Sequence, residues 1–282
     1  ANRINYVGPG TAGGDAYGIF VDRFDGTSET EEPRSYRCVI EGNSVRNVEA
    51  GSGNNGQGID THAGIDFRII GNSIYHCEVG IAITASKISG TQALAPKRCI
   101  VQGNTISWAD TGFGIGYGII VSGANNSGTP VEYAQGIVIA DNSINGHGIS
   151  NEGTTGAIVL QFTKEAVVKG NSLFRPVCNG ILLNLYNYGV CVTGNSIADP
   201  HDDDYTVPSC IAILGNYNTG FIGSNSLRYD SVAVDTYVAI QSIRIAASLS
   251  GLDLYIYHNA LPGLYSGHLV YYKGTSTGVY DT

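Results

Sequence analysis

The segment Gly58-Ile59-Asp60-Thr61-His62 carries a carboxylate and an imidazole two residues apart. On a β-strand alternate side chains share a face, so Asp60 and His62 point the same way. An acid beside a titratable base is the minimum equipment for proton transfer near neutral pH. A second carboxylate, Asp22, ends the similar segment Gly18-Ile19-Phe20-Val21-Asp22. If the two segments are neighbouring strands, Asp22 lies about 4.8 Å from His62 and about 8 Å, on the diagonal, from Asp60. That separation suits an inverting glycosidase (~6.5–9.5 Å) better than a retaining one (~5–5.5 Å). The same residues allow uronate chemistry. His62 would abstract the proton beside the sugar carboxylate, and Arg23, Lys87 or Arg98 would neutralise that carboxylate.

The elements that position these residues repeat. An apolar-x-apolar-x-Gly-Asn-Ser-apolar pattern recurs around Asn43, Asn72, Asn104, Asn142, Asn171 and Asn195, with weaker copies at Asn225 and Asn259. Each interval holds another short strand opening on glycine: Gly18, Gly58, Gly80, Gly118, Gly156 and Gly180. Short strands at a regular period, with no helical periodicity between them, predict an all-β fold, a right-handed single-stranded parallel β-helix. About nine coils spaced about 4.8 Å apart make a rod. The expected layout is one domain over 1–282: an opening segment 1–17, coils over 18–261, and a C-terminal coil and tail over 262–282. The asparagines should stack as a ladder at one corner, in a left-handed conformation that Asn tolerates.

Aligning the glycine-led strands gives the register. Ile59 and Thr61 point inward, and two columns point outward. One reads Phe20, Asp60, Ala82, Ile120, Ile158, Leu182; the other Asp22, His62, Thr84, Ser122, Leu160, Asn184. The apolar end of this face should not stay in water. A covering loop or, preferentially, a subunit interface is expected there. The long connections from Arg23 to Arg37, Ala85 to Arg98 and Gly123 to Gln135 leave from one corner. They should stack as a wall beside the polar strip, making a groove for an extended polymer.

Charged residues are only 14% of the 282, and net charge is −9. An acidic chain with pI near 5.0 is a poor partner for nucleic acid or an anionic membrane. No apolar run is long enough to span a bilayer. The chain opens on Ala1 without a leader and has no Met, which suggests a mature form or excised fragment. The six cysteines show no CxxC spacing and are expected as free, buried thiols. Asp199-Pro200-His201-Asp202-Asp203-Asp204 reads as a solvated acidic turn, with a calcium site as the lesser reading; no other cofactor is expected. Trp108 is a candidate sugar platform, otherwise a packed cap. Glu132 is a spare acid.

Gly58 to His62, followed by Ile69-Ile70-Gly71-Asn72-Ser73-Ile74 and Gly80-Ile81-Ala82-Ile83, resembles the catalytic coil of mannuronan C5-epimerases. That family reads Tyr-Gly-apolar-Asp-Pro-His; here Gln57 stands for its Tyr and Thr61 for its Pro. The resemblance implies catalytic roles for Asp60 and His62. The whole chain looks more like the pectin-lyase-like body of a bacteriophage tailspike. That resemblance implies a homotrimer, on the virion tail or otherwise extracellular, that binds and cleaves a capsular or O-antigen polysaccharide. The alternatives are a uronate epimerase or lyase, and a non-catalytic binding or structural β-helix.

Overall fold

The computed structural model describes residues 2–8, 15–22, 34–50, 56–88, 92–108, 116–146, 155–200, 208–228, 241–246, 249–260, 270–272 and 279–281. These residues are strand and turn, with no helix among them. Three long parallel sheets account for the fold. Sheet one stacks Ala16–Val21, Gly56–His62, Val79–Thr84, Tyr117–Ser122, Gly156–Gln161, Asn179–Leu183, Ser209–Ile213, Gln241–Ile245 and Val270–Tyr272. Sheet two begins with Val39–Glu41 and Arg68–Ile70, and sheet three with Arg3–Val7 and Ser44–Val48. The chain visits the sheets in turn, so each strand pairs with its counterpart one coil away. This is a parallel β-helix, as the repeats predict.

The core is a continuous apolar column between the sheets. Ile59, Ile81, Ile119, Ile158, Ile181, Ile211 and Ile243 stack on one another along sheet one, and all are fully buried. Burying each such side chain stabilises by about 1.5–3 kcal/mol. Cys77, Cys99, Cys178 and Cys210 are buried, Cys38 and Cys191 half-buried, and all six are free thiols. Burial pushes Cys77 up to about 12 and Cys99 up to about 11, so these two behave as small hydrophobes.

The asparagine ladder runs from Asn2 to Asn259. Each side-chain oxygen accepts both the backbone N–H and the amide Nδ2 of the asparagine one coil before, as between Asn104 and Asn142 at 3.0 and 2.9 Å. The Nδ2 also reaches a core-strand carbonyl, such as Ile139 from Asn171 at 3.0 Å. The left-handed residue at this corner is not the asparagine but the one before it. That place is held by Gly42, Gly71, Gly103, Gly170 and Gly194, and by Asp141, Ser224 and His258 (φ 52–55°) in the other three coils. Asparagine supplies the two-way amide, and glycine is favoured before it because it takes the left-handed backbone without strain.

The register in the Gly156 coil differs from the glycine alignment by one residue. Tyr117, not Gly118, pairs with Gly156, and Ile119 pairs with Ile158. Small Ala157 takes the tight position that glycine fills elsewhere. Ile158 and Leu160 therefore point inward and Val159 and Gln161 outward. The outward apolar residues are covered within the chain itself: Val159, Leu182 and Ala212 form a buried cluster, with Tyr117, Ile120 and Leu214 packed on it. This strip does not call for a partner subunit, and the inference of a trimer from it fails.

Candidate active site

Gly58 fixes the strand that carries the site. A Cβ there would stand 2.7 Å from both the Gly80 carbonyl oxygen and Ile74 Cγ2, so the absence of a side chain lets the next coil pack closely here. On the outer face Asp60 lies in register between Phe20 and Ala82, with Asp22 and His62 one step further along the strand direction.

The imidazole of His62 is held between two carboxylates. Its Nε2 lies 3.0 Å from Asp60 Oδ2 and its Nδ1 3.6 Å from Asp22 Oδ1. The three groups differ in access. Asp60 is fully buried, whereas the side chains of His62 and Asp22 are 25% and 36% exposed. Neither Asp60 oxygen has a well-aligned hydrogen-bond donor among the described residues. Burial alone would lower the His62 pKa, but Asp60 and then Asp22 outweigh it, and the imidazole rises above its ordinary 6.5. Burial raises Asp60 above the usual carboxylate range, only partly opposed by His62. The pair holds its protons to higher pH than either group alone. Asp60 is thus no second carboxylate for a substrate to meet. It is placed to orient His62, and the groups open to solvent here are His62 and Asp22.

Two aromatic residues that the sequence reading passed over complete this corner. Phe20, 43% exposed, meets His62 edge-on at 5.1 Å and stacks on Tyr17 at 4.5 Å. Tyr17 donates to Asp15 Oδ2 at 3.1 Å. Burial, Asp15, Asp60 and Asp22 push its hydroxyl up to about 12, so it stays protonated. Tyr17 pairs directly with Gln57. Gln57 is the position at which the resembling epimerase motif has its tyrosine. A signal existed, since Phe20 heads the Asp60 column.

The polar row continues beyond His62 through Thr84, Ser122, Gln161 and Asn184. Gln161 Nε2 donates to Ser122 Oγ at 3.1 Å, and Asn184 Nδ2 to Gln161 Oε1 at 3.4 Å. Beside it stand two of the expected long connections as antiparallel hairpins, Ser86–Ile88 with Gln92–Leu94 and Ala124–Asn126 with Thr129–Glu132. Glu132 ties all three connections together. It accepts Arg34 at 2.9 and 3.2 Å and the Ala95 amide at 2.7 Å, and pairs with Lys97 at 2.5 Å. Burial works against the charge, but Lys97, the Ala95 amide and Arg34 hold Glu132 below the usual carboxylate range. It is a fastening rather than a spare acid.

The other candidates fall elsewhere. Arg98 is exposed and engaged in a two-pronged pair with Asp66 at 2.7 and 3.0 Å. Trp108 stacks on His76 at 5.0 Å, and His76 lies 3.4 Å from Glu49, at the end of sheet three. Arg23 and the Lys87 side chain lie outside the described residues, as do His201 to Asp204; Asp199 is buried in its turn. No group of three His, Cys, Asp or Glu side chains among the described residues is placed to hold a metal ion.

No protein-family model matches this sequence, and no curated protein matches it. Among solved structures, DFA-IIIase from Arthrobacter chlorophenolicus A6, crystallised without its lid, superposes with a TM-score of 0.51 at 16% identity, over 90% of this chain and 58% of that one. The same protein in complex with GF2 gives 0.48 at 16% identity, over 87% and 54%. PfbA, a surface protein and adhesin of Streptococcus pneumoniae, gives 0.41 at 9% identity, over 95% and 74%. This chain spans little more than half the length of the DFA-IIIase chains. At such identities the likeness concerns architecture, and it agrees with the parallel β-helix built up from the repeats.

Proposed function

We propose that the chain is a carbohydrate-active enzyme that cleaves a polysaccharide by β-elimination, with His62 as the acid–base group. The observation that carries this reading is one imidazole held between a buried and an exposed carboxylate, beside an exposed aromatic ring. A sugar face would stack on Phe20, and the polymer would follow the polar row toward Asn184. His62, in its neutral form, takes the C5 proton of a uronate residue. The C4–O bond breaks, a C4=C5 double bond forms, and the proton returns to the leaving oxygen. One group on one side of the sugar suffices for that exchange. Inverting hydrolysis needs two accessible carboxyls on opposite sides, and Asp60 is buried. Asp22 and Asp60 make the corner acidic, so the uronate carboxyl must be esterified or met by a cation; Arg23, next to Asp22 in sequence, is the expected one.

The substrate proposed is a bacterial surface glycan, in the extracellular setting of a tailspike-like protein. Hydrolysis is the second reading, favoured by Asp22 as an exposed carboxylate within reach of a protonated imidazole. The test is a panel of capsular and uronate polysaccharides incubated with wild type, His62→Ala and Asp22→Asn. Chain shortening with new ultraviolet absorbance, lost in His62→Ala, is the expected result. Shortening without absorbance indicates hydrolysis. Changed sugar composition without shortening indicates epimerisation. Binding without any change would refute an enzymatic role.

A further inference from the structure

The two described hairpins leave the corner between sheets one and two after Val79–Thr84 and Tyr117–Ser122. In the next three coils the chain turns this corner directly, and aromatic rings line it. Tyr133, Phe162, Tyr186 and Tyr217 stand in one column there, because the residues that follow them, Ala134, Thr163, Asn187 and Asn218, pair in register from coil to coil. Phe162 stacks on Tyr186 with centroids 5.9 Å apart, and Tyr186 on Tyr217 at 4.7 Å, both pairs nearly parallel. Tyr188 meets Tyr133 edge-on at 5.5 Å. Burial, then Tyr188 and Tyr186, push the Tyr133 hydroxyl up to about 12, so three phenolic groups come together here.

Two features separate this cluster from ordinary packing. The first is the backbone. Phe162, Tyr186 and Tyr217 hold left-handed φ angles of 54°, 56° and 60°, a conformation that bulky residues rarely take. A buried polar ladder keeps them there. Thr163 Oγ1 donates to Asn187 Oδ1 at 2.8 Å, and Asn187 Nδ2 to Asn218 Oδ1 at 2.7 Å. The second is composition. Phe162 is buried, whereas the rings within reach of water are all tyrosine: Tyr217 at 38% exposed, and Tyr133, Tyr186 and Tyr188 half-buried. A stack that served packing alone has no need of phenolic hydroxyls at its wet edge.

We propose that this tyrosine cluster is a distal sugar-binding subsite for the same polysaccharide whose reacting residue sits at His62. The subsite presupposes the polar row as the polymer's path, as in the function proposed above. That row leads to it, since Gln161 directly precedes Phe162 and Asn184 lies two residues before Tyr186. From His62 to Asn184 is four strand steps along sheet one, about 19 Å. Sugar hydroxyls exchange hydrogen bonds with the phenolic groups, and the apolar C–H faces of the sugar lie against the rings. A polymer held at both places gains affinity by linkage. A chain too short to span the gap gains none.

Electrophoresis of the His62→Ala chain through native gels containing each capsular or uronate polysaccharide of the panel reads binding without chemistry. At least one polysaccharide should retard the chain. Tyr186→Ala with Tyr217→Ala should weaken that retardation at least about tenfold, with an unchanged far-ultraviolet spectrum. Tyr255→Ala, on the outer face of sheet two, should leave it unchanged. If the alanine pair fails to fold, Tyr186→Phe with Tyr217→Phe, which keeps both rings, decides in its place. With His62 intact, the paired substitution should raise KM on the polymer at unchanged kcat, and leave kcat/KM unaltered on oligosaccharides shorter than about 19 Å. Retardation by no polysaccharide overturns the subsite. So does retardation that survives the paired substitution, or an equal loss on short and long substrates. Retardation that depends on the tyrosines, in a wild type that performs no chemistry, upholds the subsite and refutes the role given to His62.

Discussion

Replacing Asp60 by asparagine removes the charge nearest His62 while keeping the shape of the side chain. The structure assigns the two neighbouring carboxylates unequal weights. Asp60 is buried and 3.0 Å from the ring. A unit-charge pair at such contact is worth about 4 kcal/mol at the effective dielectric of a partly buried site. Asp22 lies at 3.6 Å and is more than a third open to water, nearer the ~1 kcal/mol of a solvated pair. Burial, which lowers the imidazole, remains in either variant. Asp60→Asn should therefore bring the His62 pKa down, and further down than Asp22→Asn does. Histidine-selective NMR titration reads this without any substrate. The same change appears in stability. Because the folded pKa of His62 is raised, its contribution is complete below pH 6.5 and is lost as pH rises through the folded value. Asp60, also raised, acts in the same sense, with its contribution lost as pH rises above about 3.8. Wild-type stability against denaturant should decline above pH 6.5, and Asp60→Asn should flatten that decline. Activity on a cleaved glycan should fall by about 10²–10⁴-fold. A larger NMR shift in Asp22→Asn than in Asp60→Asn would refute the assignment of Asp60 as the orienting group.

Further substitutions test the frame. Asn142→Ala removes the acceptor of Asn104's backbone and side-chain donors and the donor to Val101 and Asn171. The cost should be about 3 kcal/mol or more, seen as a melting temperature at least about 5 °C lower. Glu132→Ala should cost about 2–4 kcal/mol by unfastening Arg34, Lys97 and the Ala95 amide, and protease nicking should then appear in the three long connections. Gly58→Ala forces a Cβ against the Gly80 carbonyl; a cost of about 1–3 kcal/mol and a displaced His62 resonance are expected. Leu182→Ala should cost about 2–5 kcal/mol, as for a core residue, although its side chain points away from the coil interior. A neutral result in equilibrium denaturation would mean that the outer strip is not buried.

What was legible in the sequence is what the repeat dictates. The spacing of Asn43 to Asn259 encodes the coil, because a stacked amide needs the same residue at every turn. Asp60 and His62 share a face because of the period of two, and Asp22 joins them because the strands are parallel and in register. Burial was not legible. Asp60 occupies an outward position, and an outward position in an isolated strand is a wet one. Here Phe20 and Ala82 flank it on adjacent coils and His62 lies beside it, which takes the carboxylate out of water. The Gly156 slip has a related cause. Glycine marks the tight position only where nothing else fits, and alanine at 157 fits. One residue of slip exchanges the faces of Ile158, Val159, Leu160 and Gln161. It moves Gln161 into the polar row between Ser122 and Asn184, and Ile158 and Leu160 into the core. The polar row thereby gains length toward the C-terminal coils, while the strip that seemed to require a partner is covered by the chain.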